Sequence, residues 1–224
     1  MVDALDVVLA GEPMRLLGDR AVYWPARNRV LLADLHLGKG DIFRRFGIAL
    51  PSGGTRHDLA RIAMLVASTG ADSVWVLGDL LHGTIESPQW RAGWESFRAS
   101  HPALRIGVLA GNHDRALVRA HLELDLVGDA VEDGPFSLRH APDARAPGHV
   151  LCGHLHPTLK LEGLPGRGPA FWLQAATTVL PAFSAFTGGR NPEARRGDRL
   201  VACVHGNLAV VPCPAPSNRK GCAL

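Results

Sequence analysis

Ile106-Gly107-Val108-Leu109-Ala110-Gly111-Asn112-His113-Asp114 is the stretch from which the rest of the chain is read. Its first five residues are an apolar run bounded by glycine, the pattern of a buried strand. Its last three set an amide, an imidazole and a carboxylate side by side where that strand ends. A core has no use for such a run, and burying it unpaired is costly. Strand ends facing a turn are where open α/β sheets place their sites. The piece that follows, 115–120, fits a short helical turn.

Working outward, three more apolar runs end in polar clusters. Arg29 to Ala33 leads into Asp34-Leu35-His36-Leu37-Gly38-Lys39. Ser73 to Leu77 leads into Gly78-Asp79-Leu80-Leu81-His82. Val150 to Cys152 leads into Gly153-His154-Leu155-His156-Pro157. One Asp-x-His is weak, because chance supplies many; four clusters in this order are specific. Carboxylate with imidazole suits borderline divalent ions such as Mn²⁺, Fe²⁺ or Zn²⁺. Residues two apart on an extended chain point the same way, so Asp34 with His36, and His154 with His156, can face one centre. A single carboxylate can bridge two ions about 3.5–4 Å apart, the spacing of two-metal phosphoester sites. Asp79, after a glycine, is the candidate bridge, and Asn112 offers a neutral amide oxygen. His140 is the further ligand, because it ends the alternation Phe136, Leu138, His140 at the strand edge that carries His154. His149 opens the next strand, at the opposite edge.

Between the clusters, Thr55 to Asp58 fits the Ser/Thr-x-x-Asp/Glu helix start. Leu59, Ile62, Ala63 and Val66 follow at helical spacing, and Gly70 is a stop. Residues 88–99, with Trp90, Trp94 and Phe97, read as a second helix. Residues 39–54 read as a functional loop with one helical turn at most. Its Lys39, Arg44 and Arg45 follow the first ligands and are expected to meet phosphate. Phe43 and Phe46 either fill core or offer faces to bases; His82 either lines the cleft or packs. Short strands are expected at Val7–Leu9, Ala21–Trp24, Asp125–Val127, Ala130–Glu132, Ala170–Leu173, Val179–Leu180, Leu200–Val204 and Leu208–Val211. Strand–helix alternation followed by hairpin-like strands predicts an α/β fold of two sheets with helices outside. One domain over 1–211 is expected, with 212–224 a frayed tail rich in Pro and Ser.

A chain of 224 residues, 46% hydrophobic, suits one globular domain. No apolar run reaches the roughly 18 residues of a membrane span. The start, Met1-Val2-Asp3-Ala4-Leu5-Asp6, has acids and no basic region, so neither a membrane nor a secretory signal is expected, and the cytoplasm is. The four cysteines form no CxxC pair, which argues against a zinc ribbon. A net charge of +3 permits a polyanionic partner without demanding one. GxSxG, HExxH and GxxxxGK-Ser/Thr are all missing, so His113 has no protein nucleophile to serve.

On these motifs the chain resembles the calcineurin-like metallophosphoesterases. Within them it closely resembles the ligase-associated DNA damage response endonucleases, the PdeM family. The narrower likeness lies in Asp34 to Lys39, Phe43-Arg44-Arg45, Gly78 to His82, His140-Ala141-Pro142, Gly153 to Pro157, Leu180-Pro181-Ala182-Phe183 and Phe186-Thr187-Gly188-Gly189. Ser184, where glycine is expected, and Ala170, near which cysteine is, depart from it. The resemblance implies a four-layer α/β/β/α sandwich and two divalent ions, usually Mn²⁺. Asp34, His36, Asp79 and His156 would hold one; Asp79, Asn112, His140 and His154 would hold the other. It implies a phosphodiesterase, an endonuclease of DNA repair, in which His113, oriented by Asp114, assists the leaving group. DNA, an ATP-dependent ligase and a processing exonuclease are the implied partners, and Lys39, Arg44 and Arg45 with Phe43 and Phe46 beside them favour DNA with single-stranded character. The alternatives are a nucleotide or protein phosphatase on the same scaffold, and a non-catalytic interaction scaffold.

Overall fold

The computed structural model describes residues 3–82, 88–163 and 165–212. All but the first residue of the expected tail lies outside the described residues. Two sheets face each other. In the first, β1 (Ala4–Leu9), β2 (Glu12–Leu17), β3 (Ala21–Trp24) and β4 (Arg29–Leu32) form an antiparallel meander. Then β5 (Ser73–Leu77), β6 (Arg105–Leu109) and β7 (Asp125–Gly128) add in parallel. Parallel neighbours need long crossovers. The crossover into β5 carries α1 (Lys39–Arg45) and α2 (Gly54–Thr69), and that into β6 carries α3 (Pro88–Ser100).

The second sheet is built from β8 (Ala130–Asp133), β9 (Phe136–Arg139), β10 (His149–Cys152), β11 (Thr158–Leu159), β12 (Gly168–Leu173), β13 (Thr177–Val179), β14 (Arg199–Val204) and β15 (Asn207–Val211). Its order is β15-β14-β12-β13-β10-β9-β8, with β11 paired to β12. β9, β10 and β13 run parallel, so His140 and Gly153-His154 leave the sheet at the same edge.

The inner core joins Leu16, Val22, Leu31, Leu77 and Leu109 of the first sheet to Leu138, Leu151, Phe171 and Val201 of the second. Trp24 meets Phe136 edge-on there, ring centroids 4.9 Å apart. The far face of the first sheet packs Val30, Leu32, Val76 and Val108 against Leu59, Ile62 and Leu65 of α2 and Trp90, Trp94 and Phe97 of α3. β4, β5 and β6 are thus buried on both faces, which is why they read as continuous apolar runs without alternation. The predicted α/β sandwich of two sheets flanked by helices is the fold observed. Among the described residues, coil covers the second sheet's outer face, with Ala146 and Leu155 on Val150 and Val179, and Ala194 on the Leu200 cluster.

Three local expectations change. β2 carries no strand signal in the sequence, because Pro13 and Arg15 interrupt its apolar pattern. Residues 39–45 are a seven-residue helix, where a loop with one helical turn is expected. The start of α2 is capped by Gly53 at φ 88°, not by Thr55. The Thr55 hydroxyl instead accepts the Gly38 N–H at 3.3 Å, and Asp58 is paired with Arg61 at 3.1 Å.

Candidate metal centre

The four strand-end clusters meet in one place. Asp34 Oδ1 lies 3.2 Å from His156 Nε2. Asp79 Oδ2 lies 3.9 Å from His36 Nε2 and 3.6 Å from His140 Nε2. His140 Nε2 in turn lies 2.9 Å from Asn112 Oδ1 and 3.0 Å from His154 Nδ1. Every residue expected as a ligand is in this cluster. Donor atoms within 4.8 Å of one another form two groups, Asp34/His36/His156 and Asp34/Asp79/His140. Asp79 stands between His36 and His140, and Asp34 belongs to both groups, so either carboxylate is placed to be shared.

These residues fit a divalent ion. Asp34 Oδ1, His36 Nε2 and His156 Nε2 are buried without a hydrogen-bond partner. Each such atom costs about 1–3 kcal/mol, and one cation facing all three removes the cost together. His140 is held in the tautomer a ligand needs: its Nδ1 faces the Leu77 carbonyl at 3.1 Å and donates, leaving the Nε2 lone pair on the cluster.

The backbone is bent to bring these donors together. Asp34 (φ 56°), His36 (49°), Asp79 (54°), His154 (66°) and His156 (45°) are all left-handed. That conformation costs a non-glycine residue roughly 1–2 kcal/mol, and it persists where surrounding contacts over-determine it. Here the Asp34 N–H donates to Gly78 O at 3.2 Å and the His36 N–H to Asp79 O at 2.9 Å. Asp34 Oδ2 accepts the His154 N–H at 2.9 Å, and Asp79 Oδ1 accepts the His113 N–H at 2.9 Å. Each carboxylate therefore commits one oxygen to a neighbouring loop and turns the other to the cluster. Two glycines permit the approach. A Cβ at Gly78 would collide with the His140 imidazole, and one at Gly153 with the Asp34 carboxylate.

Burial sets the protonation. It pushes His36 down to about 2, helped by Lys39 and the neighbouring histidines. It pushes His82 down to about 4, again with Lys39 beside it, and lowers His154. Lys39 is itself lowered by burial. Neutral imidazoles are what a metal requires.

The other expected residues divide. His113 has a side chain 43% exposed, with Nε2 4.0 Å from Asp79 Oδ2. Its ring stacks on His82 at 4.9 Å. His82 Nδ1 lies 3.4 Å from His36 Nδ1, so His82 lines the cleft beside the ligands. Asp114, expected to orient the His113 imidazole, instead accepts backbone N–H groups of Gly111 (2.9 Å), Leu81 (2.9 Å) and Leu80 (3.3 Å). It braces the Asp79 loop against the Asn112 loop; burial raises its carboxyl above the ordinary range against those donors. Lys39 Nζ donates to Thr187 Oγ1 at 3.1 Å, a clasp from α1 to the second half of the chain that nothing in the spacing announced. Arg44 is engaged by Asp41 and by the Pro51 carbonyl at 2.9 Å. Arg45 is exposed, Phe43 half-buried, and Phe46 80% exposed, which removes Phe46 from the core. His149 bonds Thr178 Oγ1 at 2.9 Å, apart from the ligands.

No protein-family model matches the chain, and no curated protein matches it. Solved structures do. A phosphoesterase from E. coli, Yfce, is 16% identical with TM-score 0.43, over 82% of this chain and 91% of that one. The protein of unknown function AQ665 from Aquifex aeolicus is 15% identical with TM-score 0.39, over 57% of this chain and 78% of that one. The Pseudomonas putida nuclease MPE is 33% identical with TM-score 0.80, over 93% of this chain and 100% of that one. At that identity over nearly the whole of both chains, and with the same fold, the chain belongs to the family of the Pseudomonas putida nuclease MPE.

Proposed function

We propose that the protein is a metal-dependent phosphodiesterase, a nuclease acting on DNA with single-stranded character. The observation that carries it is the set of orphaned donors Asp34 Oδ1, His36 Nε2 and His156 Nε2, set beside the His140–Asn112–His154 cluster. The likeness to a protein named a nuclease adds the substrate class. In this reading Asp34, His36, Asp79 and His156 hold one divalent ion, and Asp79, Asn112, His140 and His154 a second, Mn²⁺ by preference. Such ions supply Lewis-acid polarisation of a phosphoester oxygen and a lowered pKa for bound water.

The chain's own part is positioning and proton transfer. Anchored through its backbone to Asp79 and stacked on His82, the half-exposed His113 imidazole can give a proton to the leaving oxygen. General acids of this kind contribute about 10²–10⁴-fold. Asp114 acts by holding the two loops together. Exposed Arg45 and Phe46, at the end of the helix whose Phe43 ring meets His82 at 6.2 Å, suit a chain of phosphates and unpaired bases. The motif likeness to the PdeM family adds the setting: DNA repair in the cytoplasm, beside an ATP-dependent ligase and a processing exonuclease. Among the described residues, no helix is long and apolar enough to cross a membrane.

The test is one assay. Purified protein is given bis-nitrophenyl phosphate, nitrophenyl phosphate, nucleotides, single-stranded and duplex DNA, with Mn²⁺ and with chelator. Diester and single-stranded DNA cleavage, lost with chelator, is the expected result. Ready hydrolysis of monoesters or nucleotides, with single-stranded DNA left intact, would replace the nuclease with the phosphatase alternative. His113→Ala should keep fold and metal and lose far more on a sugar-alkoxide leaving group than on nitrophenolate. Equal losses would assign His113 to charge stabilisation.

A further inference from the structure

We propose that Arg61 and Arg20 are positioning residues of the metal centre, acting through the carbonyls of Phe183 and Ser184; the proposal rests on the reading that the Asp/His cluster binds metal. Asp34 is a fully buried carboxylate whose backbone is held in the left-handed region, φ 56°. One flank of it is held by Gly78. The other is held by residues 182–184, which run alongside it from the second half of the chain. Ala33 and Ala182 form a single parallel bridge. The Phe183 N–H donates to Ala33 O at 2.8 Å, and the Ser184 N–H donates to Asp34 O at 3.2 Å.

One bridge is too short to hold its own register, so something must fix 182–184 from behind. Arg61 Nη1 donates to Phe183 O at 2.8 Å, and its guanidinium lies 4.0 Å over the Phe183 ring. Arg20 Nη1 donates to Ser184 O at 3.1 Å and reaches Phe183 O at 3.4 Å. Arg61 is buried and locked in turn by Asp58 Oδ1 (3.1 Å), Asp19 O (2.8 Å) and Asp19 Oδ1 (3.4 Å). The contacts run from α2 through the Phe183 carbonyl, and from Arg20 through the Ser184 and Phe183 carbonyls, to the backbone of a ligand.

Docking of α2 alone does not explain this arrangement. Buried ion pairs add little net stability over well-packed apolar residues of the same size, and the apolar face of α2 already carries Leu59, Ile62 and Leu65. What a guanidinium adds is a rigid fork that fixes several oxygens at once. Here the oxygens include the two carbonyls behind Asp34.

The experiment measures Mn²⁺ binding by calorimetry and equilibrium dialysis, with melting of the metal-free protein alongside. The variants are Arg61→Met, Arg61→Lys and Arg20→Met. Ile62→Val trims the same helix without touching the clamp and serves as control. Outer-shell partners of metal ligands typically contribute about 10–100-fold in affinity. A loss of that size is expected for one ion in Arg61→Met, with the other ion changed less. Arg61→Lys should recover part of it, Arg20→Met should shift the same way, and Ile62→Val should bind as wild type. If Arg61→Met does not fold, Arg20→Met decides by the same criterion. Wild-type affinity in Arg61→Met and Arg20→Met, or an equal loss in Ile62→Val, overturns the clamp alone. A wild-type protein that binds no Mn²⁺ overturns the clamp and the metal-dependent reading together.

Discussion

His140 and His149 are both buried, sit at the ends of neighbouring strands, and do different work. His140 points its Nε2 at Asp79, Asn112 and His154, while His149 closes a hydrogen bond to Thr178 inside the second sheet. His140→Ala should therefore lower bound metal, and should also cost stability because the buried Leu77 carbonyl loses its donor. His149→Ala should lose about 1–3 kcal/mol for the stranded Thr178 hydroxyl with metal content intact. Elemental analysis and denaturant titration of the two variants read this directly. Gly78→Ala is the sharpest single change. At φ +81° the new methyl is strained and pushes on the His140 ring. It should cost stability and metal together, and a variant with wild-type melting and metal content would contradict the packing described.

Helix α1 shows what an element can owe to its ends. Seven residues are too few for a helix to be stable alone. Arg44 pairs with Asp41 inside the helix, while Arg44 on Pro51 O and Lys39 on Thr187 tie it to the loops around it. Arg44→Ala should speed amide exchange across 39–51 and impair turnover of DNA and of a small diester alike. Exposed Arg45 is assigned to phosphate, and Arg45→Ala should weaken DNA binding and reduce the salt slope by about one unit, as loss of one phosphate contact does. Unchanged exchange in Arg44→Ala, or an unchanged salt slope in Arg45→Ala, would contradict the role given to that arginine.

The pH response belongs to the whole molecule, because it compares the folded with the unfolded chain. His36 is held down to about 2 and His82 to about 4, against 6.5 when free, and His154 is also lowered. Below 6.5 the unfolded chain takes up protons that the folded site refuses. The stabilisation is therefore complete above that pH and falls away as pH drops toward the folded values. Melting of the metal-free protein should move to lower temperature between pH 7 and 4.5, and His36→Asn should flatten the trend. Added Mn²⁺ should raise the melting temperature most near neutrality and least in acid, where protons compete for the imidazoles. A melting temperature constant over this range would contradict the burial of neutral histidines.

Sequence alone determined the parts that depend on local pattern. Doubly buried β4, β5 and β6 are apolar without interruption, α2 and α3 are periodic, and Asp34, His36, Asp79, Asn112, His140, His154 and His156 stand at strand ends. The choice of His140 over His149 followed from strand polarity, which alternation carries. Tertiary structure decided what depends on partners far along the chain. Asp114 could not be seen to take backbone N–H groups of Leu80 and Leu81, because those donors come from another loop. Thr55 looked like a cap until Gly53 took that place and Gly38 claimed its hydroxyl. Lys39 meets Thr187, and Arg61 meets the Phe183 carbonyl, across separations that leave no periodic trace. A backbone carbonyl has no residue-type signature, so a side chain that binds one is legible only once the fold has brought the two together.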